Sequence, residues 1–435
     1  MSLTNIQGPF GLRDYVRFVK VVLPMFGLHS QPFDNCIEIL QRTDAFAPRS
    51  MYCVPPRGDT DSRKQAMERY AMLFKDSLVD IFLYVEADQP FCWSPILFRL
   101  PKELHQLSIL PMLPLVKDAE PGQALSFHET RNLLATYAAR RDTLHIIELR
   151  FLHLDMTDMA LEQLCQLPRL TSLLLASPRG LRPAFPIPIV QPPSTMEGSN
   201  LGHWPMLKSL CIKGYPLQTA AKILRTCRST SLTTLTLRTD SGTDSTPFSL
   251  ICRMLSQKWG NSLVKLSFGG PTGWNDDPVV DVDHIIQALV SFVNLRILHI
   301  DSRHIMSHLH LQHLISIGRA MPKLQDLRLH SLSEAIVYQS HLKLFDLSAL
   351  IPLPELLSVM IEIGQIRANT PAENEYYSSI PFHASECKIN DITVLSSTHD
   401  SSALRQCNDL FPRVTIVKHI SVSHVDADSS EQLSL

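Results

Sequence analysis

Residues Asn294–Leu329, NLRILHIDSRHIMSHLHLQHLISIGRAMPKLQDLRL, decide the fold. Leu295, Leu298 and Ile300 open the stretch in the frame L-x-x-L-x-L, an apolar-periodic segment runs to Ala320, and Leu324, Leu327 and Leu329 close it in the same frame. The spacing predicts a short strand, a helix and a second strand. A strand whose alternate side chains point inward, with a helix returning over its back, cannot bury that apolar face alone. It must stack on copies of itself, so the chain reads as a solenoid.

Working outward, the frame recurs at Leu78, Ile81 and Leu83; Leu104, Leu107 and Ile109; Leu144, Ile147 and Leu149; and Leu170, Leu173 and Leu175. It resumes at Leu207, Leu210 and Ile212; Leu232, Leu235 and Leu237; Leu263, Leu266 and Phe268; and, downstream of the opening stretch, at Leu356, Val359 and Ile361. Successive starts lie roughly 25 to 40 residues apart, the irregular long end of leucine-rich repeats. The spacing predicts intervening helices at His128–Arg141, around Met159–Gln166, and at Thr219–Cys227, Pro247–Trp259, Val282–Phe292 and Leu309–Met321. Ile392–Leu395 and Val414–Val417 read as the last strands, bracketing a helix at Ala403–Phe411, and Arg367–Tyr377 reads as a polar loop. Residues 1–60 form an irregular N-terminal capping region, 61–417 the repeat solenoid, and 418–435 a polar disordered tail. A loop insertion at 178–205 interrupts the repeats, because Pro183, Pro186, Pro188, Pro192 and Pro193 can neither continue a helix nor donate to a sheet ladder.

Bulk composition narrows the function. The 435 residues are 45% apolar and 19% charged, which fits a well-buried chain rather than a disordered one. A net charge of -2 lacks the basic footprint of nucleic-acid binders, so neither DNA nor RNA is expected as a partner. The most apolar N-terminal stretch, Val16–Leu28, is interrupted by Arg17, Lys20 and Pro24 and fits neither a secretory signal nor a membrane span. No membrane partner is expected, and the address is cytoplasmic or nuclear. The nine cysteines form no C-x-x-C pair. Cys165, Cys211, Cys227 and Cys252 fall where a repeat needs a small apolar side chain, so they read as reduced structural thiols.

The strand succession, the steps Leu167–Leu170 (LPRL) and Met321–Leu324 (MPKL), and the closing LFPRV at Leu410–Val414 resemble the fungal F-box proteins with leucine-rich repeats. The likeness runs from about Tyr15 to about Val417 and implies an α/β leucine-rich-repeat solenoid, a ribonuclease-inhibitor-like horseshoe or arc with a parallel inner sheet and outer helices. In that family an N-terminal F-box binds the adaptor of a cullin-RING ubiquitin ligase, and the repeats capture the substrate. No F-box is recognisable here; Leu100–Leu107, LPKELHQL, looks like the opening of one but fits the repeat frame better, since Pro111 interrupts the helix an F-box would continue. The resemblance therefore implies the substrate-binding part of an F-box-type ubiquitin-ligase receptor, with the adaptor as partner only if an F-box lies upstream. The alternative is a free-standing leucine-rich-repeat binding or inhibitor protein. The asparagine that follows the strand in many such repeats is replaced by Arg238, Asp301 and His330.

No catalytic, cofactor or metal site emerges. His304, His308, His310 and His313 include zinc-like spacings but lack a glutamate partner, and read as loop and helix-surface histidines. Asp276, Asp277, Asp281 and Asp283 lack the spacing of a calcium loop and read as caps on the following helix. Glycine-rich phosphate loops and the G-x-S-x-G elbow are missing, so a non-enzyme is expected.

The frame itself names the candidate binding residues. With the leucines buried, the residues between and just after them line the exposed concave sheet: Glu148, Arg150, Lys213, Arg238, Lys265, His299, Asp301, Asp326, Arg328, His330 and Glu362, with Thr236 and Met360 among them. Interspersed charge of both signs suits a protein or peptide ligand better than a polyanion.

Overall fold

The computed structural model describes residues 49–53, 68, 71–74, 76–85, 99–101, 104–111, 148–152, 161, 164–165, 167, 169–176, 204–239, 248–269, 282–330, 341–363, 388–396 and 416–421. The helices expected at His128–Arg141 and Ala403–Phe411, the loop Arg367–Tyr377, nearly all of the Pro-rich interval, most of the capping region and the tail beyond residue 421 lie outside them. The chain divides into two compact units, Met1–Gly214 with Ile223–Ser229, and Tyr215–Lys222 with Thr230–Leu435.

The first unit carries β1 Ser50–Cys53, β2 Asp80–Val85, β3 Gln106–Pro111, β4 Glu148–Leu152, β5 Ser172–Ala176 and β6 Ser209–Tyr215. Each pairs in parallel with the next in chain order. The second carries β7 Thr234–Thr239, β8 Lys265–Gly269, β9 Ile297–Asp301, β10 Asp326–His330, β11 Ser358–Glu362, β12 Asp391–Ser396 and β13 Ile416–Ser421, again parallel and in chain order. Parallel neighbours in chain order need a return segment between every two strands. In and beside the second unit these are α1 Leu217–Thr226, α2 Phe248–Trp259, α3 Val282–Leu289, α4 Arg303–His308, α5 Leu311–Ala320 and the 3-10 turn Leu344–Leu350. The fold is an α/β leucine-rich-repeat solenoid.

The frame dictates this arrangement because its first, fourth and sixth residues are the buried ones. Leu78, Leu104, Leu170, Leu207, Leu232, Leu263, Leu295, Leu324 and Leu356, the first members, are all fully buried. The strands then alternate, as in β9, where Leu298 and Ile300 are buried and Ile297, His299 and Asp301 are not. Removing any one of the first leucines should cost about 2 to 5 kcal/mol through lost burial and the cavity left behind.

Register is set by a repeated backbone device. The carbonyl just before a strand accepts two consecutive amides from the start of the next: Arg49 from Val79 and Asp80, Val264 from Arg296 and Ile297, Arg296 from Gln325 and Asp326, and Leu357 from Asn390 and Asp391. Val79, Thr171, Thr233 and Gln325 do the same for the strands that follow them. Side chains in the turns add latches, with Ser229 Oγ donating to the Leu207 carbonyl at 2.6 Å, Ser262 Oγ to Leu232 at 2.9 Å and Asn294 Nδ2 to Asn261 at 2.8 Å. Polar residues ahead of the strand thus bridge neighbouring repeats.

Helix packing on the leucine side is close. A Cβ on Gly318 of α5 would lie 2.7 Å from the Ala349 carbonyl oxygen, so only glycine allows the 3-10 turn to sit there without a shift. In the first unit, Trp204 is fully buried and donates from Nε1 to the Leu164 carbonyl at 2.8 Å. Its backbone adopts φ 49°, a left-handed conformation that the buried indole holds in place.

Several details depart from the sequence reading. β1 lies inside the stretch expected to be an irregular cap, with Met51 and Cys53 fully buried as the fourth and sixth frame positions. β13 continues to Ser421, into the expected tail. Cys165, Cys227 and Cys252 are buried thiols, and burial pushes the Cys53 thiol up to about 12. Cys211 is half-buried instead, because Leu210 and Ile212 take the inward positions and turn it to the opposite face.

Candidate functional site on the open sheet face

The sheet face opposite the leucines carries the candidate residues, and register aligns them into rows in the second unit. One row runs Thr234, Lys265, Ile297, Asp326, Ser358 and Asp391; the next runs Thr236, Ser267, His299, Arg328, Met360 and Thr393. A third runs Arg238, Gly269, Asp301 and His330. Neighbouring strands are about 4.8 Å apart, so side chains along a row touch.

The densest cluster lies on β9 and β10. Asp326 Oδ2 is 2.9 Å from His299 Nε2 and 3.1 Å from a terminal guanidinium nitrogen of Arg328, while Arg328 Nε donates to Asp326 Oδ1 at 3.2 Å. Burial alone would raise the Asp326 carboxyl, but the hydrogen bonds from His299 and Arg328 outweigh it and hold the group below the usual carboxylate range. Asp326 is therefore ionised, and His299 bonds to it through a protonated Nε2.

His330 is the exception to the exposed-face expectation, because it is buried, at 9% exposure. Its Nδ1 lies 4.0 Å from Asp301 Oδ1, too far for a hydrogen bond, and finds no partner among the described residues. Burial lowers its basicity and the charges of His299, Arg328 and Arg238 lower it further, against the opposing pull of Asp301. The ring is neutral at pH 7 and holds an unmet polar atom.

Arg238, at the far end of that row, is exposed and makes no ion pair with a described residue. A Cβ on Gly269 would lie 3.0 Å from Arg238 Cγ and 3.5 Å from its Cδ and Nε, so the arginine stem lies flat across the glycine. Lys265, Asp301, Glu362, Thr236 and Met360 are half-buried on the same face. Lys213 is exposed on β6 of the first unit. Glu148 and Arg150 sit on β4 in register with Gln106 and Ser108, and their side chains lie outside the described residues.

Seven residues of these rows escaped the sequence reading: Thr234, Ser267, Gly269, Ile297, Ser358, Asp391 and Thr393. The last two follow from Ile389, x, x, Ile392, x, Val394, a full copy of the frame whose members are all buried.

The two clusters weighed separately for metals meet in space. His313 Nε2 is 2.7 Å from Asp283 Oδ1, and His313 Nδ1 accepts from the His310 amide at 3.0 Å. The first bond explains why Asp283, in the first turn of α3, reaches outward to α5. It also corrects the surface reading of His313, which is buried at the start of α5. Because Nδ1 accepts, Nε2 carries the proton, and the neutral tautomer is fixed. His310 stacks on His341 with centroids 4.8 Å apart. Burial, then the neighbouring His341, His313 and His308, lower the basicity of His310, with Asp283 opposing. Asp283 is held below the usual carboxylate range by the His313 hydrogen bond. Among the described residues, no group of His, Cys, Asp or Glu is placed to share a metal ion. Asp276, Asp277 and Asp281 lie outside them, as does the His304 side chain. No described helix is long and apolar enough to cross a membrane.

No family model matches the chain, and no curated protein matches it. Among solved structures it is similar to a leucine-rich-repeat protein of Leptospira interrogans, at 12% identity over 81% of this chain and 91% of that one, with a TM-score of 0.31. The class stated above rests on the parallel sheet and the buried frame of this chain.

Proposed function

We propose that the chain is a non-catalytic recognition module that holds a protein or peptide segment on the open face of β7–β12. The observation that carries this reading is the run of polar and charged side chains on the sheet face opposite the leucines, centred on Asp326 with His299 and Arg328 bonded to it.

The finer reading is the substrate-binding part of an F-box-type ubiquitin-ligase receptor in the cytoplasm or nucleus, and it rests on the sequence resemblance alone. Immobilised full chain should capture a cullin-RING adaptor subunit if an F-box accompanies it; failure with the full-length gene product would leave the free-standing binder. The recognition reading is tested on the face itself. Arg328→Glu with His299→Glu should abolish capture of a cellular partner, while Arg319→Glu on α5 should not. Equal loss in both variants would remove the face from consideration.

A further inference from the structure

Charge on the open face of β7–β12 is not mixed at random but sorted by strand, with Lys418 of β13 in register beyond Thr393. β7 and β8 contribute Arg238 and Lys265 and no carboxylate. β9 to β12 contribute Asp301, Asp326, Glu362 and Asp391, against the single guanidinium of Arg328. That guanidinium and Asp326 are engaged with each other in two bonds and offset one another, so the acidic balance comes from Asp301, Glu362 and Asp391. All these residues occupy alternate positions of adjacent parallel strands, so the change of sign runs across the strands, from Arg238 and Lys265 towards Asp391.

We propose that this face selects an extended peptide segment lying across the strands, with acidic side chains over β7–β8 and basic side chains over β11–β12. The proposal rests on the reading of the face as a ligand surface and adds the chemistry of the ligand. Charge complementarity fixes the pattern, since a segment of one sign would meet repulsion at one end. Strand spacing fixes the period. From the middle of β7–β8 to the middle of β11–β12 is four spacings, about 19 Å, which an extended chain covers in about six residues. Between the poles the middle row carries His299 and Arg328, both already bonded to Asp326, so neutral ligand residues can pass over the centre. Chain direction is not specified, because a peptide running the other way presents the same two poles when its ends are exchanged.

The test uses the full chain and four peptides, each carrying a benzophenone photo-crosslinker. The first has two glutamates and two lysines separated by Ser-Gly-Ser-Gly; the second has the same residues with the charges alternating; the third and fourth carry four glutamates or four lysines. The spaced peptide should bind about five-fold more tightly than the others, the scale of a partly exposed ion pair, and should lose that margin in high salt. Cross-links should fall on β7–β12. Arg238→Gln with Lys265→Gln, both surface changes, should erase the preference, and Arg238→Glu with Lys265→Glu should transfer it to the lysine peptide. If a peptide of one sign, or the alternating peptide, matches the spaced one while cross-links stay on this face, the charge order is overturned and the face remains a ligand surface. Cross-links on the helices overturn both, and equal absence of binding by all four overturns the charge order.

Discussion

Each unit buries the same leucine frame, and the two differ on the face that the frame leaves free. In the first unit, the middle row runs Tyr52, Phe82, Ser108, Arg150, Leu174 and Cys211, with Arg150 its single charged residue. In the second, the equivalent row contains His299 and Arg328, bound to Asp326 beside them. The leucines behind both rows are equally buried, so the frame constrains only the side that packs. What lies between the leucines is free to carry recognition chemistry, and only the second unit's described face carries it densely.

The largest effect should come from breaking either unit's leucine interior. Leu298→Ala in the second unit and Leu210→Ala in the first, both fully buried, should each cost about 2 to 5 kcal/mol, read as the loss in denaturant unfolding of the affected unit. A large difference between them would mean that the two interiors are not equivalent. Next, Gly318→Ala should destabilise the second unit by about 1 to 3 kcal/mol, because its methyl would meet the Ala349 carbonyl; the first unit's amide-exchange protection should not change. Smaller again is Asp326→Asn, at about 1 to 2 kcal/mol after allowance for the exposure of Arg328.

Acid sharpens the contrast further. His310 and His330 both have lowered basicity in the folded chain, so the unfolded chain binds their protons first. Their contribution to stability is present above the ordinary histidine value of about 6.5 and is lost as pH falls through their lower folded values. Amide protection factors in α5 and β10, corrected for the intrinsic exchange rate, should therefore fall between pH 7.5 and 5.5 more than in β5 and β6. His310→Gln with His330→Gln should remove the difference; a persistent difference would assign it to other groups.

Most of the interior was legible because burial and spacing coincide. The helices expected at Thr219–Cys227, Pro247–Trp259 and Leu309–Met321 formed within a few residues of those bounds. Less legible were features with no period. Nothing in the spacing announces that His313 meets Asp283 across thirty positions, since that contact exists only once α3 and α5 stack. Trp204 follows a proline-rich stretch, and its anchoring bond to Leu164 depends on a fold the local sequence does not encode. The face was read correctly in parity but not in exposure. His330 satisfies the alternation rule and is buried nonetheless, which parity alone does not encode.

The carbonyl that receives two amides at the start of eight of the described strands has a consequence for how such a chain can change length. Each repeat passes the next an identical acceptor and takes an identical pair of donors, so excising one whole repeat within a unit rejoins matching ends. A cut through the middle of a repeat would instead leave two backbone N–H groups inside without an acceptor. Growth and loss in this architecture should therefore proceed by whole units of repeat, and half-repeat deletions should fail to fold.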